Sequence, residues 1–446
     1  MISMSTREAA AVLGARYCGE ANFVGVSTDS RHMRAGELFV ALRGPNFDGH
    51  EFVPVAGKCG ATAVLVDSET SSTVPSILVD DTRQALLSLA ENWRDRFNVP
   101  VAAVTGSNGK TTVKELLASI CALQAPVLKT AGNLNNDVGV PLTLFRLDGD
   151  HRAAVLELGA NHVGEIRTLA GIVKPTVGII TQCAPAHLEG FGTIDAVARA
   201  KGELFEQVAE DGTVIVNADD PFAGLWRNLA GPRTVLSFGL SETADVSATW
   251  CVNNRSTRMI LLTPQGVTEV DLKLPGRHNV MNALAAASAA LALGMGLDDI
   301  ASGLEMVRPI KGRLQPVDVP GDVFVLDDTY NANPSSLKAG LEVLSQYSGK
   351  TWLVMGDMAE LGEGEFRFHE EAGALAREYG VARLFATGPR ARHAVDAFGE
   401  GGAHFDDQTD LINALRTSVD SGATVLVKGS RSMHMERVVD ALKQAC

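Results

Sequence analysis

One unit recurs along this chain: a short run of β-branched and apolar residues, a turn rich in glycine or small polar residues, then apolar positions at helical spacing. It is clearest from residue 99 onward. There V-P-V-A-A-V-T predicts a buried strand, G-S-N-G a turn, and Val113, Leu116, Leu117, Ile120 and Leu123 one face of a helix. Further strands are expected at 153–158 (A-A-V-L-E-L), at 176–181, and within 212–221 (G-T-V-I-V-N-A-D-D-P), each ending in a polar turn. From about Gly312 the pattern restarts, with strands expected at 323–326, 352–355, 383–386 and 424–427 that empty into Gly- or Asp-rich turns. Such an order describes a doubly wound parallel sheet with its loops gathered on one edge. Before residue 98 the runs are shorter: S-T-D-S-R, G-E-L-F-V-A-L-R-G and F-D-G-H precede an apolar strand at Ala63 to Val66. The chain thus reads as α/β in three domains: a small α/β domain over 1–98, a central parallel-sheet domain carrying the glycine turn over 99–312, and a Rossmann-like domain over 313–446.

A glycine turn between strand and helix binds phosphate. In T-G-S-N-G-K-T-T (Thr105, Gly106, Ser107, Asn108, Gly109, Lys110, Thr111, Thr112) the glycines let backbone N–H groups face an anion at the helix N-terminus. Lys110 would reach the outer phosphates, and the Thr111 hydroxyl suits Mg²⁺. A nucleoside triphosphate is the expected occupant, although Val104 stands where G-x-x-x-x-G-K-[ST] has its first glycine.

Composition narrows the partners. With 446 residues, 46% of them hydrophobic, the chain can bury several cores; its formal charge of -14 is spread out with no Lys/Arg block, which argues against a nucleic-acid backbone. Six cysteines (Cys18, Cys59, Cys121, Cys183, Cys251, Cys446) show no C-x-x-C spacing and read as reduced, mostly buried thiols. The N-terminus lacks a signal pattern, and the longest apolar stretch, Ala283 to Leu293, is too short for a membrane span. A monomeric cytoplasmic enzyme is the expectation.

Individual polar residues in apolar settings suggest the rest of a site. Glu157 interrupts an apolar strand, where a carboxylate is costly without a cation or donors, and it could meet Mg²⁺ at Thr111. His187 follows the next strand, just beyond the same edge of the sheet, where a lone histidine is more often structural than a ligand. Lys201 lies in the apolar stripe of I-D-A-V-A-R-A-K-G-E-L-F-E-Q-V. It either snorkels to the rim or has a depressed pKa and takes up CO₂ as a carbamate beside Mg²⁺. Asn279 and Asn282, at i and i+3 on an Ala/Leu helix, could read a base edge or cap the helix. The loop T-A-G-N-L-N-N-D-V-G-V-P offers amides to a ligand or to plain turns. Asp29, Ser30, Arg31 and His50 could hold a polar or anionic ligand, but taken alone they are better read as turn residues and surface ion pairs. Arg313, Asp328, Lys428, Ser430 and Arg431 are the polar candidates of the third domain.

Taken together these segments resemble the Mur ligase family over all three domains. T-G-S-N-G-K-T-T without the first glycine is the family's own P-loop. The resemblance implies a UDP-binding first domain, a central ATPase domain and a Rossmann-like third domain. It places Lys110 on phosphates, Thr111 and Glu157 on one Mg²⁺, and His187 with a carbamylated Lys201 on a second. Asn279 and Asn282 match an adenine contact, and Arg313 and Asp328 match residues reaching the ATP phosphates and ribose. Ser27, Asp29, Ser30, Arg31, Asp48, Gly49 and His50 would hold the UDP moiety, with Asn133, Asn135 and Asn136 nearby. D-D-T-Y-N-A-N-P, M-G-D-M-A-E-L-G and K-G-S-R-S-M-H-M-E resemble the members that add D-Ala-D-Ala to UDP-MurNAc-tripeptide, which puts Asn331, Asp357, Lys428, Ser430 and Arg431 on the dipeptide side. The implied activity is ATP-dependent amide formation through an acyl phosphate in peptidoglycan precursor synthesis. Another ligase of the family, a folylpolyglutamate synthase-like ligase, and a P-loop kinase or switch are the alternatives.

Overall fold

In the computed structural model, which describes residues 1–69, 73–252 and 256–444, the glycine turn lies at the centre of a six-stranded parallel sheet. Strand order is Val127–Lys129, Ala153–Glu157, Val101–Thr105, Val177–Ile180, Thr213–Asn217 and Thr234–Phe238. Every residue of Val101–Thr105 is buried, as a central strand covered on both faces requires. The chain leaves it into the helix Lys110–Cys121, whose Val113, Leu116, Leu117 and Ile120 are buried in the core. Leu123 lies past the helix end and is exposed, so the apolar stripe stops a turn earlier than its spacing suggests. Register sets Val104 beside Glu157 and Thr105 beside Ile180. The carboxyl ends of these strands open where chain order reverses, the place such sheets bind ligands.

The third domain is also six-stranded, in the order Gln315–Val319, Val323–Asp328, Thr424–Lys428, Thr351–Gly356, Arg383–Thr387, Gly402–Phe405. The four expected strands are parallel, as is Gly402–Phe405, whereas Gln315–Val319, an edge strand the sequence reading did not expect, pairs antiparallel with its neighbour. Only Pro320, Gly321 and Asp322 separate the two strands, too few residues for a parallel crossover.

The first domain carries a five-stranded sheet ordered Arg16–Cys18, Ser76–Leu78, Ala63–Val66, Leu38–Val40, Val26–Ser27. Its core does not end at residue 98. Phe23, Leu65 and Trp93 share one buried cluster with Val101, Leu128, Phe145 and Val173 of the central domain. Trp93 Nε1 donates to Leu147 O at 3.0 Å, and the buried Arg94 guanidinium donates to the carbonyls of Val173, Phe97 and Val99. The boundary is a change of sheet within one packed body. The third domain, by contrast, has cores of its own around Leu326 and Leu353 on one face and Val325 and Val427 on the other.

One element has no counterpart in the sequence reading. Ser247–Val252, Thr257–Thr263 and Gly266–Leu272 form an antiparallel meander whose Met259, Leu261, Val270 and Leu272 face the core beneath the helix Arg277–Ala292. Its outer face carries the exposed Ile260, Leu262 and Val267, which obscures the two-residue alternation that announces a half-buried strand. The described cysteines are free, but Cys18, Cys59 and Cys251 are exposed, so the thiols are not mostly buried; Cys446 lies outside the described residues. Among the described residues no helix is long and apolar enough to cross a membrane.

Candidate active site

The strand ends of the central sheet and the facing edge of the third domain enclose a cavity of about 1170 Å³. Ser107, Asn108, Gly109, Lys110, Thr111 and Thr112 line it, whereas Thr105 and Gly106 build the loop beneath. Thr105 Oγ1 donates to Leu158 O at 2.9 Å, and Gly106 leaves no room for a side chain, since a Cβ there would meet Thr181 Oγ1 at 1.8 Å. Gly109 is equally constrained: φ is +85°, and a Cβ would fall 2.3 Å from Asn282 Oδ1. Gly109→Ala is therefore expected to weaken binding of an ATP analogue at least tenfold in calorimetry, with little change in the thermal midpoint of a Gly224→Ala control, whose added Cβ meets nothing within 4 Å.

Lys110 is half-buried, its Nζ donating to Gly106 O at 2.6 Å instead of pointing into solvent, and burial pushes its pKa down. Thr111 Oγ1 donates to Glu157 Oε2 at 2.9 Å, so the strand-borne carboxylate and the P-loop hydroxyl do meet. Asn135, grouped from sequence with the sugar-nucleotide, gives its amide to Glu157 Oε1 at 2.8 Å. Asn136 accepts from Gly139 N at 2.9 Å and caps a helix, while Asn133 lines the cavity beside it.

On the helix Ile194–Glu206 Lys201 is 4% exposed and faces the cavity. Burial, followed by repulsion from Lys110, brings its pKa down to about 7. His187 also lines the cavity. Asn282 Nδ2 donates to Asn279 Oδ1 at 3.1 Å and Asn279 Nδ2 to Pro275 O at 2.8 Å, so the two amides are ordered as a pair at the helix start.

Three side chains carry the third domain to the P-loop. Arg313 Nη2 donates to Thr111 Oγ1 at 3.1 Å, its guanidinium lying 4.0 Å over the Tyr330 ring. Asn333 Nδ2 donates to Asn108 Oδ1 at 2.8 Å, and Asn108 Nδ2 donates to Ser335 Oγ at 3.1 Å. Asp328, expected on the ribose, accepts from Leu314 N at 3.1 Å and from Lys428 Nζ at 2.5 Å. It thus anchors the backbone next to Arg313. Tyr330, Asn333 and His278 escaped the sequence reading, although the first two lie inside D-D-T-Y-N-A-N-P and His278 directly precedes Asn279.

His278 lines the same cavity, and burial pushes it down to about 4. His369, wholly buried, donates from Nδ1 to Glu365 O and accepts from Met358 N at Nε2, and burial lowers its pKa also. Both rings are neutral when folded, so below the ordinary histidine value of 6.5 the unfolded chain binds protons the folded chain does not. Stability is thus fully present above pH 6.5 and falls as pH drops toward about 4. Thermal melts of the ligand-free protein from pH 8 to 4 should show this slope, flattened in His278→Gln; an unchanged slope would assign the titration elsewhere.

Several expected site residues lie away from the cavity. Asp29 is held by Arg31 through Nε and Nη2, each at 2.9 Å, and Ser27 Oγ donates to Asp29 O, while Ser30 belongs to the same turn. His50 Nδ1 bonds Asp48 at 2.7 Å, its Nε2 accepts from Asp67 N, and Gly49 N donates to Leu42 O. On the third domain Asp357 accepts from Arg390 N and Ala391 N, capping the helix Ala391–Phe398. Ser430 Oγ accepts from Ala359 N at 2.7 Å, and Arg431 pairs with Glu436 at the surface. Asn331 and Lys428 alone of the dipeptide-side set line the cavity, Lys428 with its ammonium on Asp328 and Asn331 O.

A P-loop at the end of a parallel sheet, facing a second Rossmann-like sheet that sends an arginine back to it, defines a nucleotide-dependent enzyme built from two opposed α/β domains. Three profiles match the chain: Mur ligase family, catalytic domain over 22–94; Mur ligase middle domain over 104–290; and Mur ligase, glutamate ligase domain over 312–431. The chain is 41% identical to the UDP-N-acetylmuramoyl-tripeptide–D-alanyl-D-alanine ligase of Escherichia coli K12 over 100% of this chain and 99% of that relative. A crystal structure of MurF from Acinetobacter baumannii superposes with a TM-score of 0.94 at 37% identity, covering 100% of this chain and 99% of that one. That of MurF ligase from Thermotoga maritima in complex with ADP gives 0.85 at 30%, covering 94% and 97%. The chain belongs to the Mur ligase family.

Proposed function

We propose that this chain is the ATP-dependent ligase that joins D-Ala-D-Ala to UDP-MurNAc-tripeptide, forming an amide, ADP and phosphate. The observation that carries the chemistry is the contact of Arg313 with Thr111, which brings the third domain onto the P-loop across a single cavity. The terminal carboxylate of the tripeptide attacks the γ-phosphorus of ATP, and the bond to the β-phosphate oxygen breaks to release ADP. Lys110 and Arg313 offset the charge that builds on the phosphoryl oxygens. The neutral amine of D-Ala-D-Ala then adds to the carbonyl of the acyl phosphate, phosphate leaves with its electron pair, and the amine loses a proton.

Thr111 and Glu157 present hard oxygen donors to the cavity, the set Mg²⁺ takes together with nucleotide phosphates. His187 alone is a poor partner for so hard a cation, so a second ion needs the carbamate oxygens of a modified Lys201. Supporting that reading, Lys201 is buried with a pKa near 7, which leaves neutral amine to add CO₂ and shed a proton. When bound, the two Mg²⁺ ions supply further charge neutralisation and orientation. The same reading takes the enzyme as a cytoplasmic monomer, with the first domain holding the UDP moiety.

The test is release of ADP and phosphate with UDP-MurNAc-tripeptide present, with and without D-Ala-D-Ala. Sustained release only when both are supplied supports the ligase. ADP formed without any amine would favour a kinase or switch, and turnover with glutamate on a folate acceptor would favour a folylpolyglutamate synthase-like enzyme.

A further inference from the structure

His187 belongs to the central domain and Glu360 to the third, yet Nδ1 of one lies 2.5 Å from Oε2 of the other. Glu360 sits in the loop after Thr351–Gly356, within the same M-G-D-M-A-E-L-G segment in which Asp357 is turned to a helix N-terminus. That loop packs on the turn holding His187: Glu189 N donates to Glu360 O at 3.4 Å, and Gly362 lies against Leu188 and Glu189. His187 (φ 54°) and Glu360 (φ 62°) are two of the six described non-glycine residues with positive φ. Conformations of that kind persist only where the surroundings impose them, and they gather at functional sites. The carboxylate is half-exposed, and an exposed ion pair adds little to stability, so fold stability does not account for two such backbones meeting.

An imidazole that ligates a metal through one nitrogen commonly gives the N–H of its other nitrogen to a carboxylate, which fixes the tautomer and the ring orientation. His187 Nδ1 is buried with no hydrogen-bond partner of good geometry among the described residues, although Glu360 Oε2 lies 2.5 Å away, and His187 lines the cavity together with Lys201. A small turn of the ring gives Nδ1–H to that carboxylate and leaves Nε2 as the lone-pair nitrogen. We infer that Glu360 is a positioning residue for the second metal site, delivered by the third domain, so that His187 is set for metal only when the two domains close on each other. The inference rests on the reading of His187 as a metal ligand. It gives domain closure a chemical consequence beyond bringing substrates together: the open enzyme has the ligand, and the closed enzyme has the ligand fixed.

Mn²⁺ titration by electron paramagnetic resonance, with a non-hydrolysable ATP analogue and UDP-MurNAc-tripeptide bound, reads this without turnover. Wild type should bind two Mn²⁺, and His187→Ala should lose the weaker. Glu360→Gln should bind the weaker ion about tenfold less tightly and leave the stronger unchanged. Its amide formation should recover at high Mg²⁺, with the KM for D-Ala-D-Ala unaltered. If wild type binds one ion, or His187→Ala keeps both, the metal reading of His187 falls and this inference with it. If His187→Ala loses the ion while Glu360→Gln binds both as tightly as wild type, the metal reading stands and the role of Glu360 is overturned.

Discussion

Lys110→Ala lowers amide formation by about 10³-fold or more while the thermal midpoint stays at or above that of the wild type. The kinetic loss follows from position: Lys110 opens the helix Lys110–Cys121 beneath the cavity, where the transferred phosphoryl group must sit, and few other cations reach that point. Arg313 is the nearest alternative, but its guanidinium is committed to Thr111 and stacked on Tyr330. The stability forecast comes from the ligand-free geometry. With no phosphate present, the ammonium is folded onto the Gly106 carbonyl, and burial disfavours its charge more than the Glu157 carboxylate favours it, with Arg313 adding repulsion. Removing it relieves the folded state of a poorly solvated cation and breaks no packing in the core. Steady-state kinetics beside thermal melts decide the matter. Near-normal turnover would remove the P-loop lysine from the chemistry, and a large drop in melting temperature would show the residue to be structural.

Why some of this site is visible in the sequence and some is not follows from how each residue finds its partner. The P-loop is legible because its requirements are local: a β-branched strand, two glycines forced by Thr181 and Asn282, and a helix stripe. Glu157 and Lys201 are legible as charges placed where the period demands apolar residues, and both prove buried at the cavity. Glu203, two residues beyond Lys201, is just as buried, yet it accepts from Gly164 N and Arg167 N and caps another helix. No local signal separates the two, since the partner is about forty positions away. Asp357 and Glu360 show the same limit within one loop, where sequence favoured the first and the structure sets the second against His187. Domain boundaries blur for a related reason. Residue 98 marks a change in strand pattern, but the cluster joining Trp93 to Val101 and Phe145 is assembled from side chains whose periodicity says only that they are inside.

Lys201→Ala is expected to lose at least a hundredfold in kcat and to regain part of it in acetate or formate. The argument starts from cost. A lysine 4% exposed in the helix Ile194–Glu206, with Val197, Leu204 and Phe205 at 0% around the same turns, forfeits hydration of its ammonium, and Lys110 adds repulsion. The result is a pKa of about 7, so near neutral pH roughly half the molecules carry the nucleophilic free amine. That is the form able to add CO₂, and a carbamate formed there would set a negative group near Lys110 in place of a second positive one. Alanine leaves a space into which a small carboxylate can fit and present oxygens much as the carbamate would. Lys201→Met fills the space with an apolar chain of similar length, so it should lose as much activity and gain nothing from acetate. Rescue of the alanine variant but not the methionine variant separates a carboxylate requirement from a packing role. Equal failure of both, together with intact-mass measurement showing an unmodified Lys201 in fully active wild type kept in CO₂-free buffer, would remove the carbamate from the mechanism.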